Sequence, residues 1–417
     1  MLPAGNMYFA SQELIMTRYY GLGPQLCKLT DETIGELLTY LSGVDLIHIL
    51  QVSKVLYCYA HSSDLWRDIT LREFDGKGIK YSKTWKDAYM FTYAAKNGTA
   101  TKMALKEHVP IQVRGVFSNY LHRSWSCHTC DLATACPGFY KFSDIPIRSA
   151  KDLSVEAFLE EYELPNKPVV IRDAMLLSNA SNDVSDEAKR NEKTSGADSS
   201  PASCSPCAAL TKWTNEYLAS QCGATRRLRA TSAAAPLPAH FTADEYFQYA
   251  AQAKEEAPLY LFERNFAKIA PGLLNDYEIP KYFRASTRAA ALKNLAHSSH
   301  NDSTEEDSVA FRNRSIPLDP QKLRNSELVY ETDLFRVLGE TQRPDYRWLV
   351  AGPARSGSLF HIDPNNTNAW NLCIRGRKKW IFYPPGVAPP GVECSPDGAD
   401  VVVPISTGKN NFYLVCA

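Results

Sequence analysis

Apolar residues recur at helical spacing early in the chain. Ile34, Leu37, Leu38 and Leu41 follow Leu29-Thr-Asp-Glu. This pattern predicts an amphipathic helix capped by Thr30, with Asp31 and Glu32 in its first turn. Ser42-Gly43 breaks the pattern, and Leu46, Ile47, Leu50, Val52 and Val55 predict a second apolar helix. Asp64-Leu65-Trp66-Arg67 closes this unit. Trp85-Lys-Asp-Ala-Tyr predicts one more helix, and Val113 to His122 reads as a strand and turn. From Leu153 to Tyr162 the pattern is helical again. Ser154 caps this helix, Ala157 at N3 leaves no capping box, and Phe158 and Leu159 turn inward. Pro165 to Arg172 supplies a short apolar strand.

The second half alternates ordered patterns with polar runs. Residues 176–210 hold Ser, Ala, Asn, Asp and Lys with almost no large apolar side chain, which predicts a disordered insertion. Trp213 to Leu218 and Asp244 to Ala250 predict helices, and Pro258 to Phe262 a strand. Residues 285–325 read as a second polar insertion, with His297 and His300 in a solvated loop. Glu331 to Gly339 predicts a short helix with Gly at its C-terminal end. Ala369 to Ile374 and Lys378 to Tyr383 then predict a hairpin around Arg375-Gly376-Arg377, where Gly supplies the positive φ of a tight turn. Alternation places Lys378, Trp380 and Phe382 on one face of the second arm. A lysine that shares a face with large aromatics needs an anionic partner if it is buried.

Composition narrows the class. The chain has 417 residues, which suggests two to three domains. Lys+Arg and Asp+Glu both number 46, so nothing favours bulk attraction to nucleic acid. The first residues lack a basic segment followed by an apolar core, and no apolar run approaches a membrane span. With no such leader, the 11 cysteines read as reduced thiols of a soluble cytoplasmic or nuclear protein. Cys127-His-Thr-Cys130, with Cys136 nearby, resembles half a zinc site, but the other pair, Cys204-Ser-Pro-Cys207, lies in the polar insertion. Ordinary free cysteines are the better reading.

The chemistry concentrates between residues 352 and 385. His361 and Asp363 sit two apart, so in a strand both side chains share a face and can meet one ion. Imidazole with carboxylate suits a first-row metal, and two His with one carboxylate suits non-haem Fe(II).

The surrounding residues carry a resemblance. Tyr346-Arg-Trp-Leu-Val, Gly352-Pro, Arg355-Ser-Gly, His361-Ile-Asp-Pro, Ala369-Trp-Asn and Lys378 two before Trp380 resemble the JmjC Fe(II)/2-oxoglutarate oxygenases of the arginine-demethylase and lysyl-hydroxylase branch. The resemblance implies a double-stranded β-helix, a cupin-like jelly roll. It implies that His361 and Asp363 bind Fe(II), while 2-oxoglutarate and O2 are cosubstrates. Lys378 would pair with the distal carboxylate of 2-oxoglutarate, and Ser358 would hydrogen-bond the same end. Asn371 would line the cosubstrate pocket, and Tyr260 would sit near its mouth. The substrate would be a protein or peptide carrying methylated arginine or lysine, a histone tail among the candidates. The activity would be demethylation or hydroxylation.

A second resemblance covers residues 28–72. Leu-x-Asp-Glu, Leu-x-x-Leu, Asp45-Leu, Val52-Ser53-Lys54 and Leu65-Trp66-Arg67 follow the order of an F-box, with Thr30 where that family usually has Pro. The implied partner is the adaptor of a cullin-based (SCF) ubiquitin ligase. The expected architecture is α+β: a helical F-box at 28–72, a connecting region at 73–149, and a JmjC domain at 150–417 with insertions near 176–210 and 285–325. The pair of domains resembles plant-type F-box/JmjC proteins.

The JmjC pattern also implies a third metal ligand, a histidine on a later strand. None of the nine histidines follows His361, and the tail from Thr407 departs from the pattern. The expectation is a JmjC domain incomplete at its C-terminal end. Two functions follow: an oxygenase of which this chain is a truncated or mis-joined product, or a non-catalytic substrate receptor of a ubiquitin ligase.

Overall fold

The structure, a computed structural model, describes residues 12–98, 113–129, 144–175, 207–298 except 256, 342–384 except 359 and 364–366, 387, 392–394 and 401–404. Two compact units divide the chain: one of residues 1–140, 214–270 and 347–417, the other of residues 141–213 and 271–346.

The first unit begins with helices Gln12–Leu26, Asp31–Thr39, Gly43–Ile49, Lys54–Ala60 and Ser63–Glu73. Thr30 caps the second as expected, accepting from the Thr33 N–H. Ile34 and Leu38 are buried, whereas Leu37 is exposed. The single helix expected after Ser42 is two. Ser42 forms a capping box with Asp45, and Ser53 starts a fresh helix by accepting from the Leu56 N–H. A new N-cap demands extended backbone, so a continuous helix cannot pass through it. Helix Trp85–Lys96 forms as expected, with Trp85 and Tyr89 fully buried. The strand and turn expected over 113–122 is instead a bend leading into helix Asn119–Thr129. There the Leu121 N–H donates to Ser118 Oγ, a side-chain cap that starts the helix.

These helices share their unit with a four-stranded antiparallel sheet of β3 (Leu228–Thr231), β4 (Ala239–Phe241), β5 (Tyr260–Glu263) and β6 (Leu349–Ala351), in the order β4-β3-β5-β6. Two smaller sheets pair β1 (Ile147–Ser149) with β2 (Val170–Arg172) in parallel, and β7 (Val392–Cys394) with β8 (Val401–Pro404) antiparallel. The fold is thus α+β with a cupin-like β region. Among the described residues the sheets do not close on themselves. Arg67 joins helix to sheet. Its guanidinium is 1% exposed, pairs with Asp64 and Asp68 at 2.8 Å, and donates to the carbonyls of Ala234 and Ala257. A buried guanidinium persists because each donor has an acceptor. Gly76 follows the same helix at φ +63°, where a Cβ would meet the Pro238 carbonyl at 2.0 Å. The His240 N–H donates to the Gly76 carbonyl at 2.8 Å, tying the edge strand β4 to this turn.

The second unit packs around Ala150, Leu153, Phe158, Leu159, Tyr162, Tyr282 and Ala291. Ser154 caps helix Val155–Phe158 without a capping box, as expected, and a π turn, Leu159–Glu163, continues it. The polar run at 285–325 starts as helix Ala285–Ser298, not as an insertion: Ala291 is 1% exposed in the core, and Arg288 grips Glu163 through both nitrogens. His297 therefore lies on a helix, and His300 lies outside the described residues. The end of the first expected insertion also folds, as helix Ala208–Lys212. The expected helix at 331–339 lies outside the described residues, as do Cys130, Cys136 and Cys204. Cys27, Cys58, Cys207, Cys222 and Cys373 are free thiols. Among the described residues no helix is long and apolar enough to cross a membrane.

Candidate functional site

Strands β5 and β6 present the site. Their register pairs Leu261 with Ala351 and Phe262 with Val350, which brings Tyr260 opposite Gly352. Opposed residues in an antiparallel pair point to one face. The absence of a side chain at Gly352 is what admits its neighbours: a Cβ would lie 2.1 Å from Ser356 Oγ and 2.9 Å from Tyr260 Cβ. Ser356 is fully buried and closes the turn after β6, its hydroxyl donating to the Pro353 carbonyl at 2.7 Å. Arg355 takes φ +74° in this turn, a conformation that side chains adopt at a cost. The turn delivers Ser358 to Tyr260, and their hydroxyls lie 2.9 Å apart. Tyr260 itself is 6% exposed.

His361 and Asp363 follow. His361 Nε2 lies 3.2 Å from Asp363 Oδ1, and both side chains are partly open to solvent. The expected strand is absent here, because residues 361–363 form no ladder. Extended backbone alone still sends alternate side chains to one side. Two donors bound at right angles to one ion, each about 2.1 Å from it, would lie about 3 Å apart. The pair therefore fits two adjacent positions around a first-row metal in both spacing and donor chemistry. Among the described residues no group of three His, Cys, Asp or Glu side chains gathers around a common point.

The hairpin expected over 369–383 is only half realised. Gly376 adopts φ +78° at the turn, as its position predicted. The arms on either side form no ladder among the described residues beyond a single-residue bridge at Lys378. A strand needs a neighbour to satisfy its N–H and C=O groups, and among the described residues neither arm has one alongside it over its length. Alternation nonetheless holds in the second arm. Lys378 Nζ sits 4.1 Å from the centre of the Trp380 ring, and Trp380 stacks on Phe382 at 5.4 Å and 3°. Lys378 is half-buried with its charge over this ring, and among the described residues no carboxylate pairs with it. Asn371 is exposed.

Sequence reasoning missed the supports behind β5. Helix Ala243–Gln252 buries Tyr246 and Tyr249, and both hydroxyls reach backbone around Leu259. Beside them Glu255 is buried, its carboxylate accepting from Trp85 Nε1 and the Tyr249 hydroxyl. Burial raises its pKa above the usual carboxylate range, partly offset by these hydrogen bonds and Arg67. The same burial pushes Tyr249 upward, reinforced by the nearby Glu255 charge. Two tyrosines three apart on a helix were legible as a core stripe; their polar ends were not.

A family model described as a cupin-like domain matches residues 155–390. The arginine-specific demethylase JMJ22 of Arabidopsis thaliana is 32% identical over 99% of this chain and 63% of its own length. The lysine-specific demethylase JMJ21 of the same plant is 29% identical over 92% of this chain and 31% of its own. The bifunctional arginine demethylase and lysyl-hydroxylase psr-1 of Caenorhabditis elegans is 31% identical over 34% of this chain and 24% of its own. The chain thus spans less than two thirds of each of these relatives.

Proposed function

Because the chain belongs to the cupin-like domain family and carries a JmjC-type oxygenase domain, we propose that it is the core of an Fe(II)/2-oxoglutarate-dependent protein oxygenase acting on methylated arginine or on lysine. The single observation that carries this reading is the convergence of His361 Nε2 and Asp363 Oδ1 at 3.2 Å. Two demethylases and a demethylase/hydroxylase among the relatives support the substrate class.

His361 and Asp363 would hold Fe(II) together with one more protein donor. When bound, the metal supplies O2 activation coupled to oxidation of 2-oxoglutarate, which neither side chain can perform. The chain's own residues bind and orient. Ser358 and Tyr260 offer hydroxyls to the distal carboxylate of 2-oxoglutarate, and Lys378 offers the matching charge. Trp380 covers one side of the Lys378 ammonium and holds it by a cation–π contact. Asn371 offers an amide to the same pocket. Hydroxylation of an N-methyl group yields an unstable carbinolamine that releases formaldehyde, whereas a hydroxylated lysine carbon keeps its oxygen.

The test is His361→Ala in the full-length protein supplied with Fe(II), 2-oxoglutarate and a methyl-arginine peptide. Loss of both succinate and formaldehyde is expected; undiminished succinate and formaldehyde would sink the reading. A second reading, a ubiquitin-ligase receptor built on an F-box at 28–72, draws on a different observation. Leu37, Tyr40 and Val44 are exposed on and beside the neighbouring helices Asp31–Thr39 and Gly43–Ile49, an apolar surface suited to an adaptor. That reading predicts that His361→Ala leaves turnover of the bound target in cells unchanged.

A further inference from the structure

The ladder between β5 and β6 stops at Leu261 and Ala351. It stops because Gly352 is followed by Pro353, which has no N–H to extend it. Yet the residue just past the last pair of that ladder, Tyr260, carries one of the two hydroxyls proposed above to meet the cosubstrate. On its other side Tyr260 still pairs with Thr231 of β3; toward β6, something other than the ladder must fix the backbone.

Two buried side chains do so. The Tyr249 hydroxyl accepts from the Leu259 N–H at 2.8 Å and donates to Glu255 Oε1 at 3.2 Å. The Tyr246 hydroxyl donates to the Ala351 carbonyl at 2.7 Å, with the Leu259 carbonyl a second acceptor at 3.3 Å. Both rings are at most 1% exposed, and each packs on Phe241 of β4. A phenol reaching from a rigid helix thus replaces the missing rungs: one holds the N–H of Leu259, and the other spans the carbonyls of both strands. The polar ends of buried tyrosines usually find partners, but here both phenols reach one residue, Leu259, immediately before Tyr260.

The geometry points to Tyr246 and Tyr249 as positioning residues for the Tyr260–Ser358 hydroxyl pair, and so for recognition of the 2-oxoglutarate carboxylate. This rests on the oxygenase reading given above. Tyr246 controls the separation of β5 from β6, and hence the distance from Tyr260 to the turn that carries Ser358. Tyr249 controls how Tyr260 enters the strand. Neither phenol touches substrate, so removing one loosens binding without altering the chemistry.

The experiment compares Tyr246→Phe, Tyr249→Phe and Tyr282→Phe in the full-length Fe(II)-loaded protein. Tyr282 is the control. It is fully buried in the other unit and donates to the Leu153 carbonyl at 2.8 Å, so its loss also removes one buried hydrogen bond. The expected result is a rise of about tenfold in the KM for 2-oxoglutarate in the first two variants, with kcat within about twofold. Tyr282→Phe should leave both constants unmoved at a comparable loss of thermal stability. Equal KM in all three variants, or an equal rise in the control, overturns the proposal. If the wild-type protein binds no 2-oxoglutarate, the oxygenase reading fails and hydrogen exchange decides the positioning role by itself. Amides of the segment around Leu259 and of the segment around Ser358 should then exchange faster in Tyr246→Phe and Tyr249→Phe but not in Tyr282→Phe. Unchanged exchange there overturns it.

Discussion

The Tyr260 hydroxyl lies 2.9 Å from the Ser358 hydroxyl, joining the first residue of β5 to the turn that leads into His361. Two hydroxyls joined by one O–H···O bond have a second O–H between them, the donor that a carboxylate would accept. Tyr260→Phe is expected to weaken 2-oxoglutarate binding by about three- to tenfold, with Ser358→Ala giving a similar loss. Isothermal titration of the Fe(II) protein measures it. The double variant should lose less than the product of the two, because the hydroxyls serve one ligand group.

Gly352 makes a sharper demand. Its Cβ would fall 2.1 Å from Ser356 Oγ, and Ser356 is itself buried and bonded to Pro353. Gly352→Ala should destabilise the fold by about 1–3 kcal/mol through overpacking. It should also separate Tyr260 from Ser358. Urea unfolding and the same titration read the two effects independently.

Arg67 is surrounded by acceptors and almost wholly out of water. Arg67→Ala leaves two carboxylates without their counter-charge and takes a donor from the carbonyls of Ala234 and Ala257, of which Ala257 keeps the Ser232 hydroxyl. A loss of about 3–5 kcal/mol is expected in chemical denaturation. A loss under 1 kcal/mol would mean that the helix and sheet hold together by apolar packing alone.

Glu255 predicts a pH dependence. Burial raises its pKa in the folded protein above its value in the unfolded chain. Between the two values the native state holds more protons, so stability falls as pH rises through that window. Glu255→Gln keeps the shape and removes the titration. Its stability relative to wild type should therefore increase from the ordinary carboxylate range upward and level off above the raised pKa. Thermal melts across acidic to neutral pH would show parallel curves if Glu255 were not titrating there.

Much of the helical framework was legible because local rules decide it. Thr30, Ser154 and Trp85 announce helices by capping and periodicity, and all three stand where expected. The reading failed where a distant partner decides. Leu46 to Val55 looks like one apolar helix, but Ser53 caps a new one, and its hydroxyl also donates to the Gly21 carbonyl. Ala285 to Ser298 looks polar by composition, and only its packing on Leu153 and Tyr282 makes it a core helix. In the candidate site, the proximity of His361 to Asp363 follows from two-residue spacing. The Tyr260–Ser358 contact depends on the register of β5 against β6, which no local pattern encodes. Residues 369–383 show the reverse error: strand-like alternation is present, but among the described residues no partner strand uses it.

The sheet that carries the site is assembled from both sides of the second unit's last stretch, since β5 precedes it and β6 follows it. During synthesis this has a temporal cost. Tyr260 emerges 98 residues ahead of Ser358, an interval on the order of 5–20 s at a ribosome's pace of roughly 5–20 residues per second. Through that interval β5 has an unpaired edge, and its aromatic residues have no β6 to cover them. The nascent chain is thus most exposed to misassociation, and most in need of chaperone cover, in the window just before its pocket can close.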